Sequence, residues 1–436
     1  MLGKVTVIGA GLAGSEAAYF LATHNCQVDL YEMRPSKKAP AHHTGKFAEL
    51  VCSNSLKSFE LDTATGLLKE EMQILDSLVM KAAKLFQVPA GQALAVDREK
   101  FADYIDKTIR ALPNVTVHHE EITSLPKDGL VIVATGPLTS AKFSRELRRL
   151  LGVEQLYFYD AAAPMVLKSS LDFNKCYYKS RYDKGMGDDY INCPMTKEEF
   201  IKFYQELVRG ERVKLRHFEK EKYFEGCLPI EVIARRGAQT LTFGPMRPVG
   251  LERENAPLPY AVVQLRQDDS LAEVYNMVGF QTNLTFPEQE RIFRLIPGLE
   301  KASFVRFGVM HRNTFINSPL LLTNKLTWRQ DPRVFFAGQI IGVEGYIESA
   351  CSGLFAAINA WRQLQGLEMV ALPKETVIGS LVDYVVKANP DNFQPMNANY
   401  GVLNSPLKDK MAIAELSLAK LREWRDKYVD CLSGIL

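Results

Sequence analysis

The sequence lacks most features that would set a chain apart from ordinary globular proteins. It has no run of about 18 apolar residues, so no transmembrane helix is expected. No signal peptide is expected at its start. After Met1 to Lys4 the chain enters Val5-Thr6-Val7-Ile8 and a glycine loop, which is folded structure rather than a cleavable apolar region. The cytoplasm is the expected compartment. Net charge is low, +2 from 53 basic and 51 acidic residues. That neither demands a polyanionic partner nor excludes one, because a basic face can hide in a balanced total. Cysteines number seven, an odd count, widely spaced, with no Cys-x-x-Cys pair and no Cys/His metal spacing. Without an export signal they read as free thiols, any important one acting through its reactivity. No metal site is expected, and no internal repeat or low-complexity segment is present.

What is there is a globular composition, 47% hydrophobic and 24% charged over 436 residues, enough for two or three domains. The clearest signal is N-terminal. Val5 to Ile8 reads as a short strand. Gly9-Ala10-Gly11-Leu12-Ala13-Gly14 follows at GxGxxG spacing, then an Ala-rich helix from Ser15 to Ala22, then a strand from Val28 to Tyr31 ending at Glu32. Gly9 allows a tight turn, Gly11 lets backbone approach a pyrophosphate, and Gly14 lets the helix pack closely on the strand. The helix N-terminus offers free N–H groups to the phosphates. Glu32 stands where a carboxylate accepts from a ribose hydroxyl. A lone GxGxxG is often only a glycine turn; strand, loop, helix, strand and acid in this order favour a dinucleotide, read here as FAD.

Two later segments extend the pattern. Leu130 to Ala134 is an apolar strand ending in Thr135-Gly136. Arg333 to Ala337 is another, ending in Gly338-Gln339. Gly342, Gly345 and a helix from Ser349 to Trp361 follow. That helix carries Ala350, Ser352, Gly353, Ala356 and Ala357, so it can lie close against a cofactor or strand. Both segments resemble flavoproteins with the two-dinucleotide-binding-domain fold, in which the last strand often ends Gly-Asp and the Asp meets the FAD ribitol. Gln339 stands at that place and can still bond a hydroxyl. The expected class is α/β: a Rossmann-type FAD-binding domain split between residues 1–155 and 330–436, with an inserted α+β domain over 156–329. The insert shows a strand from Ala261 to Leu265 and a helix from Lys197 to Val208. Two basic, aromatic-bearing runs, Lys179 to Lys184 and Arg209 to Tyr223, with Arg235-Arg236 nearby, are compatible with an RNA face, although charge runs are usually solvated surface.

Longer motifs carry a closer resemblance. Pro40-Ala41-His42-His43-Thr44, with Phe47-Ala48-Glu49-Leu50-Val51-Cys52-Ser53-Asn54-Ser55, resembles the GidA/TrmFO family of flavoproteins. Three further runs are similar to its TrmFO branch: Tyr223 to Glu231, Gly308 to Pro319, and Asn392 to Asn399. The similarity spans about Val5 to Tyr400. It implies a folate- and FAD-dependent methylation of uracil C5 in tRNA, giving 5-methyluridine at position 54 of the T-loop. Methylenetetrahydrofolate would supply the carbon, reduced flavin would carry it, and NADH or NADPH would regenerate the flavin.

Uracil C5 is a poor nucleophile. A thiolate adding to C6 turns the ring into an enolate whose C5 can attack a one-carbon electrophile. A cysteine is therefore required, preferably one with a lowered pKa. Cys227, within Glu225-Gly226-Cys227-Leu228-Pro229, matches the family's nucleophile position. Cys52 matches a second family cysteine, which takes the C5 proton, assists the thiolate or touches the flavin. For Cys26, Cys176, Cys193, Cys351 and Cys431 an inert buried thiol is the better reading. By the same resemblance His311 stacks on the folate pterin, with Arg312 and Asn313 able to bond its edge. Tyr346 is read either as a neighbour of the isoalloxazine or as a core aromatic. Rival readings are a wobble-uridine modifier, the same chemistry on ribosomal RNA, a small-molecule flavin oxidoreductase, and a non-catalytic FAD-binding RNA protein. The first carries a long helical C-terminal extension, for which a chain ending at Leu436 is expected to have no room. The T-arm of tRNA is the expected partner; oligomeric state stays open, as does NADH against NADPH.

Overall fold

The computed structural model describes residues 2–37, 39, 41–214, 223–224, 228–253, 256–403 and 405–430. Its centre is a five-stranded parallel sheet in the order Val334–Phe336, Leu130–Val133, Leu2–Ile8, Cys26–Tyr31 and Val115–His118. Val131, Ile132 and Val133 are fully buried, as a parallel strand covered on both faces requires. Helix Leu12–Thr23 makes the first crossover. The edge strand Val115–His118 bears only a weak pattern in the sequence and is found by its pairing alone. The class is therefore α/β with a Rossmann-type sheet.

The small-residue helix runs from Tyr346 to Leu364, three residues earlier and later than its composition predicts. Its narrow face meets the N-terminal helix as well as the sheet. A methyl group on Gly353 would overlap the backbone of Ala13, so this helix packs backbone to backbone on the N-terminal helix. Ser352 ties it to the last strand, its hydroxyl accepting from the Gly338 N–H at 2.7 Å.

The chain leaves this unit through strand Leu156–Ala161 and returns through Met310–Phe315, which pair antiparallel with His311 opposite Asp160. Between them lies a six-stranded antiparallel sheet with a separate core that includes Phe200, Phe203, Phe280 and Phe293. The predicted strand here extends over Ala261–Gln267, and the predicted helix over Lys197–Arg209. Thr196 and Glu199 close that helix's N-terminus reciprocally, a capping box. No helix among the described residues is long and apolar enough to cross a membrane.

Candidate active site

The glycine loop builds one wall of a cavity. Gly9 takes φ 100°, and a side chain on it would strike Ala134 O. At Gly11 an added Cβ would meet nothing within 4 Å, so the helix N-terminus faces open space there. At Gly14 the missing side chain makes room for the carbonyl of Gly9, directly past the first strand, and a Cβ there would also lie 3.4 Å from that of Ala134 at the end of the neighbouring strand. Of the predicted cofactor residues, Gly9, Gly11, Leu12 and Ala13 line the cavity from this loop. Glu32, Gly136, Gly338 and Gln339 line it from beyond the strand ends, and Tyr346 from the start of helix Tyr346–Leu364. Ala10, Gly14 and Gly345 shape the turns behind them, Gly345 at φ 124°. A concave site at the carboxyl ends of parallel strands, with a glycine cradle that a Cβ would fill, fits a dinucleotide cofactor.

Glu32 is engaged differently from the expected ribose contact. Its Oε2 accepts from Ala10 N at 3.0 Å and Arg34 Nη2 at 3.1 Å. Its Oε1 accepts from Arg34 N at 3.0 Å and Arg34 Nε at 2.9 Å. Burial alone would raise this carboxyl, but the Arg34 bonds and charge prevail and hold it below its ordinary range. A carboxylate has about four acceptor sites, so a ribose hydroxyl would have to share one with Arg34. Gln339 is likewise engaged, its amide donating to Glu344.

The segment Leu50 to Asn54, whose Val51 also lines this cavity, is held by three arginines from distant parts of the chain. Arg98 donates to Leu50 O at 2.8 Å and Arg306 to Val51 O at 2.8 Å. Arg266 donates to Ser53 Oγ at 2.6 Å and Asn54 Oδ1 at 3.0 Å. Tyr346 closes the ring, its hydroxyl accepting from Cys52 N at 2.8 Å and Ser53 N at 3.2 Å. Tyr346 thus both lines the cavity and grips the Cys52 loop. Asp268 pairs with Arg98 at 2.8 Å. Burial pushes the Arg266 and Arg306 guanidiniums down from their ordinary range.

Cys52 is half-buried, and its thiol donates to Asp160 Oδ2 at 3.3 Å. Burial, then the Asp160 charge, drive its pKa well up. It rests as a thiol, contrary to the lowered pKa expected of a catalytic cysteine in general. Beyond Asp160, the Glu344 carboxyl is pushed up to about 8 by burial and by the Asp160 charge. None of Asp160, Glu344, Arg98, Arg266 and Arg306 stands out in the sequence. Glu344 alone had a local signal, lying between Gly342 and Gly345.

His311 neighbours Asp160 across the strand pair. Burial and the nearby Arg306 charge lower it to about 4, so it is neutral at pH 7. Its Nε2, the Arg306 Nε and the His42 Nδ1 are buried with no hydrogen-bond partner among the described residues. Orphaned donors and acceptors of this kind fit a polar ligand that supplies the missing bonds. Asn313 is buried on the same strand face as His311. Arg312 is corrected: strand side chains alternate, so it points to the opposite face, where its guanidinium stacks 4.2 Å over Tyr157. It does not share a ligand edge with His311.

Cys227 lies outside the described residues, as does Cys431. The chain on either side of Cys227 is tied near Asp160. Tyr223 bridges to Tyr159. Glu231 accepts from Asn283 N at 2.8 Å and Thr282 Oγ1 at 2.9 Å, and Thr282 N donates to Ala162 O at 3.4 Å. Cys26, Cys176, Cys193 and Cys351 are buried. Of the basic runs, Arg181 is turned inward onto Arg247 O at 2.9 Å and Gln264 Oε1 at 3.1 Å, and Lys179 pairs with Asp183 at 3.1 Å. Residues 215–222 of the second run lie outside the described set.

A family model for glucose inhibited division protein A (GidA) matches residues 4–368. The chain belongs to the GidA family. Within it, the chain is 60% identical over 401 residues to "Methylenetetrahydrofolate--tRNA-(uracil-5-)-methyltransferase TrmFO" of Exiguobacterium sibiricum, covering 92% of each. It is 59% identical over 411 residues to the protein of that name from Anoxybacillus flavithermus, covering 93% of this chain and 95% of that one. Among solved structures, Aquifex aeolicus GidA superposes with a TM-score of 0.73 over 98% of this chain and 73% of that one, at 18% identity. The GidA fold is thus shared well beyond the range of sequence similarity.

Proposed function

We propose that this GidA-family chain is a folate- and FAD-dependent tRNA (uracil-5-)-methyltransferase that acts on the T-loop in the cytoplasm. The observation that carries the reading is the position of Cys52. Its N–H is held by Tyr346, a residue of the dinucleotide cavity, and its Asp160 partner lies opposite His311. A thiol, a cofactor cavity and a neutral ring with unfilled bonds therefore share one place. The high identity to proteins named for this activity supports the same reading.

In this reading residues 1–155 and 330–436 hold FAD and the insert of 156–329 meets RNA. The glycine loop and the N-terminus of helix Leu12–Thr23 would hold the pyrophosphate. Glu32, Gly136, Gly338, Gln339 and Tyr346 would hold the rest of the cofactor. FAD bound there would supply, at the expense of NADH or NADPH, the electrons that reduce the one-carbon unit of methylenetetrahydrofolate to a methyl group. The flat, uncharged His311 ring offers a stacking face to the pterin, with Asn313 on the same strand face. Cys227 adds to uracil C6. The tying of both flanks of Cys227 to neighbours of Asp160 supports its meeting the same uracil as Cys52. After C5 is alkylated, loss of the C5 proton restores the C5=C6 bond and expels the Cys227 thiolate.

The test is a T-arm minihelix carrying 5-fluorouridine. Fluorine at C5 cannot leave as a cation, so the final elimination stalls and a covalent protein–RNA complex accumulates. Cys227→Ala is expected to abolish both adduct and turnover while keeping FAD. Peptide mapping that places the RNA on Cys52 would exchange the two roles. An adduct surviving in both Cys227→Ala and Cys52→Ala would remove thiolate addition as assigned here.

A further inference from the structure

Cys52 poses a problem that its surroundings resolve. A group that removes a proton at carbon must first lose its own, yet Cys52 rests protonated. Its hydrogen-bond acceptor is Asp160 Oδ2 at 3.3 Å. Asp160 is itself buried, 8% exposed, on the strand facing His311. Behind it stands Glu344, tied to Gln339 at the cavity wall.

We propose that Asp160 is the positioning residue that accepts the Cys52 proton, converting the thiol to the thiolate that the reaction uses as a base. This rests on the reading above, in which Cys52 acts on the uracil. The step moves one proton: the S–H bond breaks, its electron pair stays on sulfur, and an O–H bond forms on Asp160. The pair carries one negative charge before and after, so no second charge is buried. The thiolate then takes the C5 proton while the C5–H electrons form C5=C6 and the C6–S bond to Cys227 breaks. Asp160 finally returns its proton to solvent.

The groups facing this pair set its balance. Arg98 and Arg306 favour the thiolate. Asp160 and Glu344 oppose it, as does burial beside Tyr346. Glu344 in turn faces Lys57 and Glu348. Once Asp160 is protonated, its charge no longer opposes the thiolate, and burial and Glu344 are the opposition that remains.

Two consequences separate this role from simple support of the fold. In the FAD-loaded enzyme at pH 7.5, iodoacetamide should label Cys52 at least tenfold more slowly than free cysteine, because the proton is held on sulfur. Asp160→Asn should keep FAD and label Cys52 several-fold faster than the parent, while turnover on tRNA falls about 100-fold, within the range for lost proton transfer. Asp160→Glu, which keeps a carboxylate, should restore most of the turnover and the slow labelling. Full turnover in Asp160→Asn would overturn the proposal. So would labelling that is unchanged or slower in that variant, or a parent enzyme that labels as fast as free cysteine. If Asp160→Asn fails to fold, the parent labelling rate and Asp160→Glu still decide. Full turnover in Cys52→Ala would instead overturn the underlying reading of Cys52 and leave the labelling results standing as a property of the pair.

Discussion

Gly11 and Gly14 stand three residues apart and should respond oppositely to added bulk. Nothing lies within 4 Å of a Cβ on Gly11, whereas one on Gly14 overlaps the Gly9 carbonyl. Gly11→Val should therefore leave a folded protein that purifies colourless, because the side chain fills the space a pyrophosphate needs. Circular dichroism and flavin absorbance read the two properties separately. A yellow Gly11→Val protein with full FAD occupancy would move the cofactor elsewhere. His311 and His42 provide a second test. Both are lowered to about 4 from an ordinary 6.5, chiefly by burial. Between those values the folded state binds fewer protons than the unfolded chain, so stability rises with pH and is lost as pH falls from 6.5 toward 4. Melting temperature should drop on acidification from pH 7 to 5, and drop less in His311→Gln. An equal drop in both would mean that His311 is not held neutral by the fold. His311→Ala should raise the folate requirement more than that for tRNA; the reverse would move this residue to the RNA face.

At the scale of elements, two buried carboxylates cap helices across long sequence distances. Glu16 accepts from Val79 N at 2.7 Å and Leu78 N at 3.2 Å. Glu71 accepts from Val377 N at 2.7 Å and Ile378 N at 2.9 Å. A negative charge at a helix N-terminus is favourable, but burial is the larger influence and raises both carboxyls to about 7. Their sign opposes that of the histidines. The folded state binds more protons than the unfolded chain between the ordinary carboxylate range and 7, so this stability is lost as pH rises through 7. Glu16→Gln should flatten the decline of melting temperature between pH 5 and 7, and an unchanged slope would contradict the assignment. The helix pair at Ala13 and Gly353 is tested by Gly353→Ala. Ala gains about 1 kcal/mol of helix propensity over Gly. The obstacle is backbone rather than a flexible side chain, and overpacking of that kind destabilises by about 1–3 kcal/mol. A net loss of up to about 2 kcal/mol is expected in urea denaturation, and a gain would mean that the helices are less tightly apposed.

At the scale of the molecule, what was legible in the sequence is what local signals encode. The glycine loop with its flanking strands, the buried run Leu130–Val133 and the helix that follows Thr196 each lie within about thirty residues and were readable. The edge strand Val115–His118 was not, because pairing rather than pattern creates it. Nor was the clamp around Cys52, which joins Arg98, Arg266, Arg306 and Tyr346 to one five-residue segment. Arginines in such positions resemble any solvated charge until the fold gathers them. Asp160 was hidden for the same reason: its meaning comes from Cys52, 108 positions away in sequence. Glu32 and Arg312 show the converse limit. Motif spacing located both, but neighbouring Arg34 and strand alternation decided what their side chains contact.

The central claim is that the clamped thiol, the cofactor cavity and the His311 face together methylate uracil in tRNA. Its most direct test incubates the purified yellow protein with unmethylated tRNA transcript, methylenetetrahydrofolate labelled in its one-carbon unit, and NADH or NADPH. The product is then digested and the label mapped. The account predicts label in 5-methyluridine of the T-loop, dependent on both the folate and the nicotinamide, with none transferred when S-adenosylmethionine is the only carbon donor. Label driven by S-adenosylmethionine alone, or label found only in ribosomal RNA offered as a competing substrate, would contradict it.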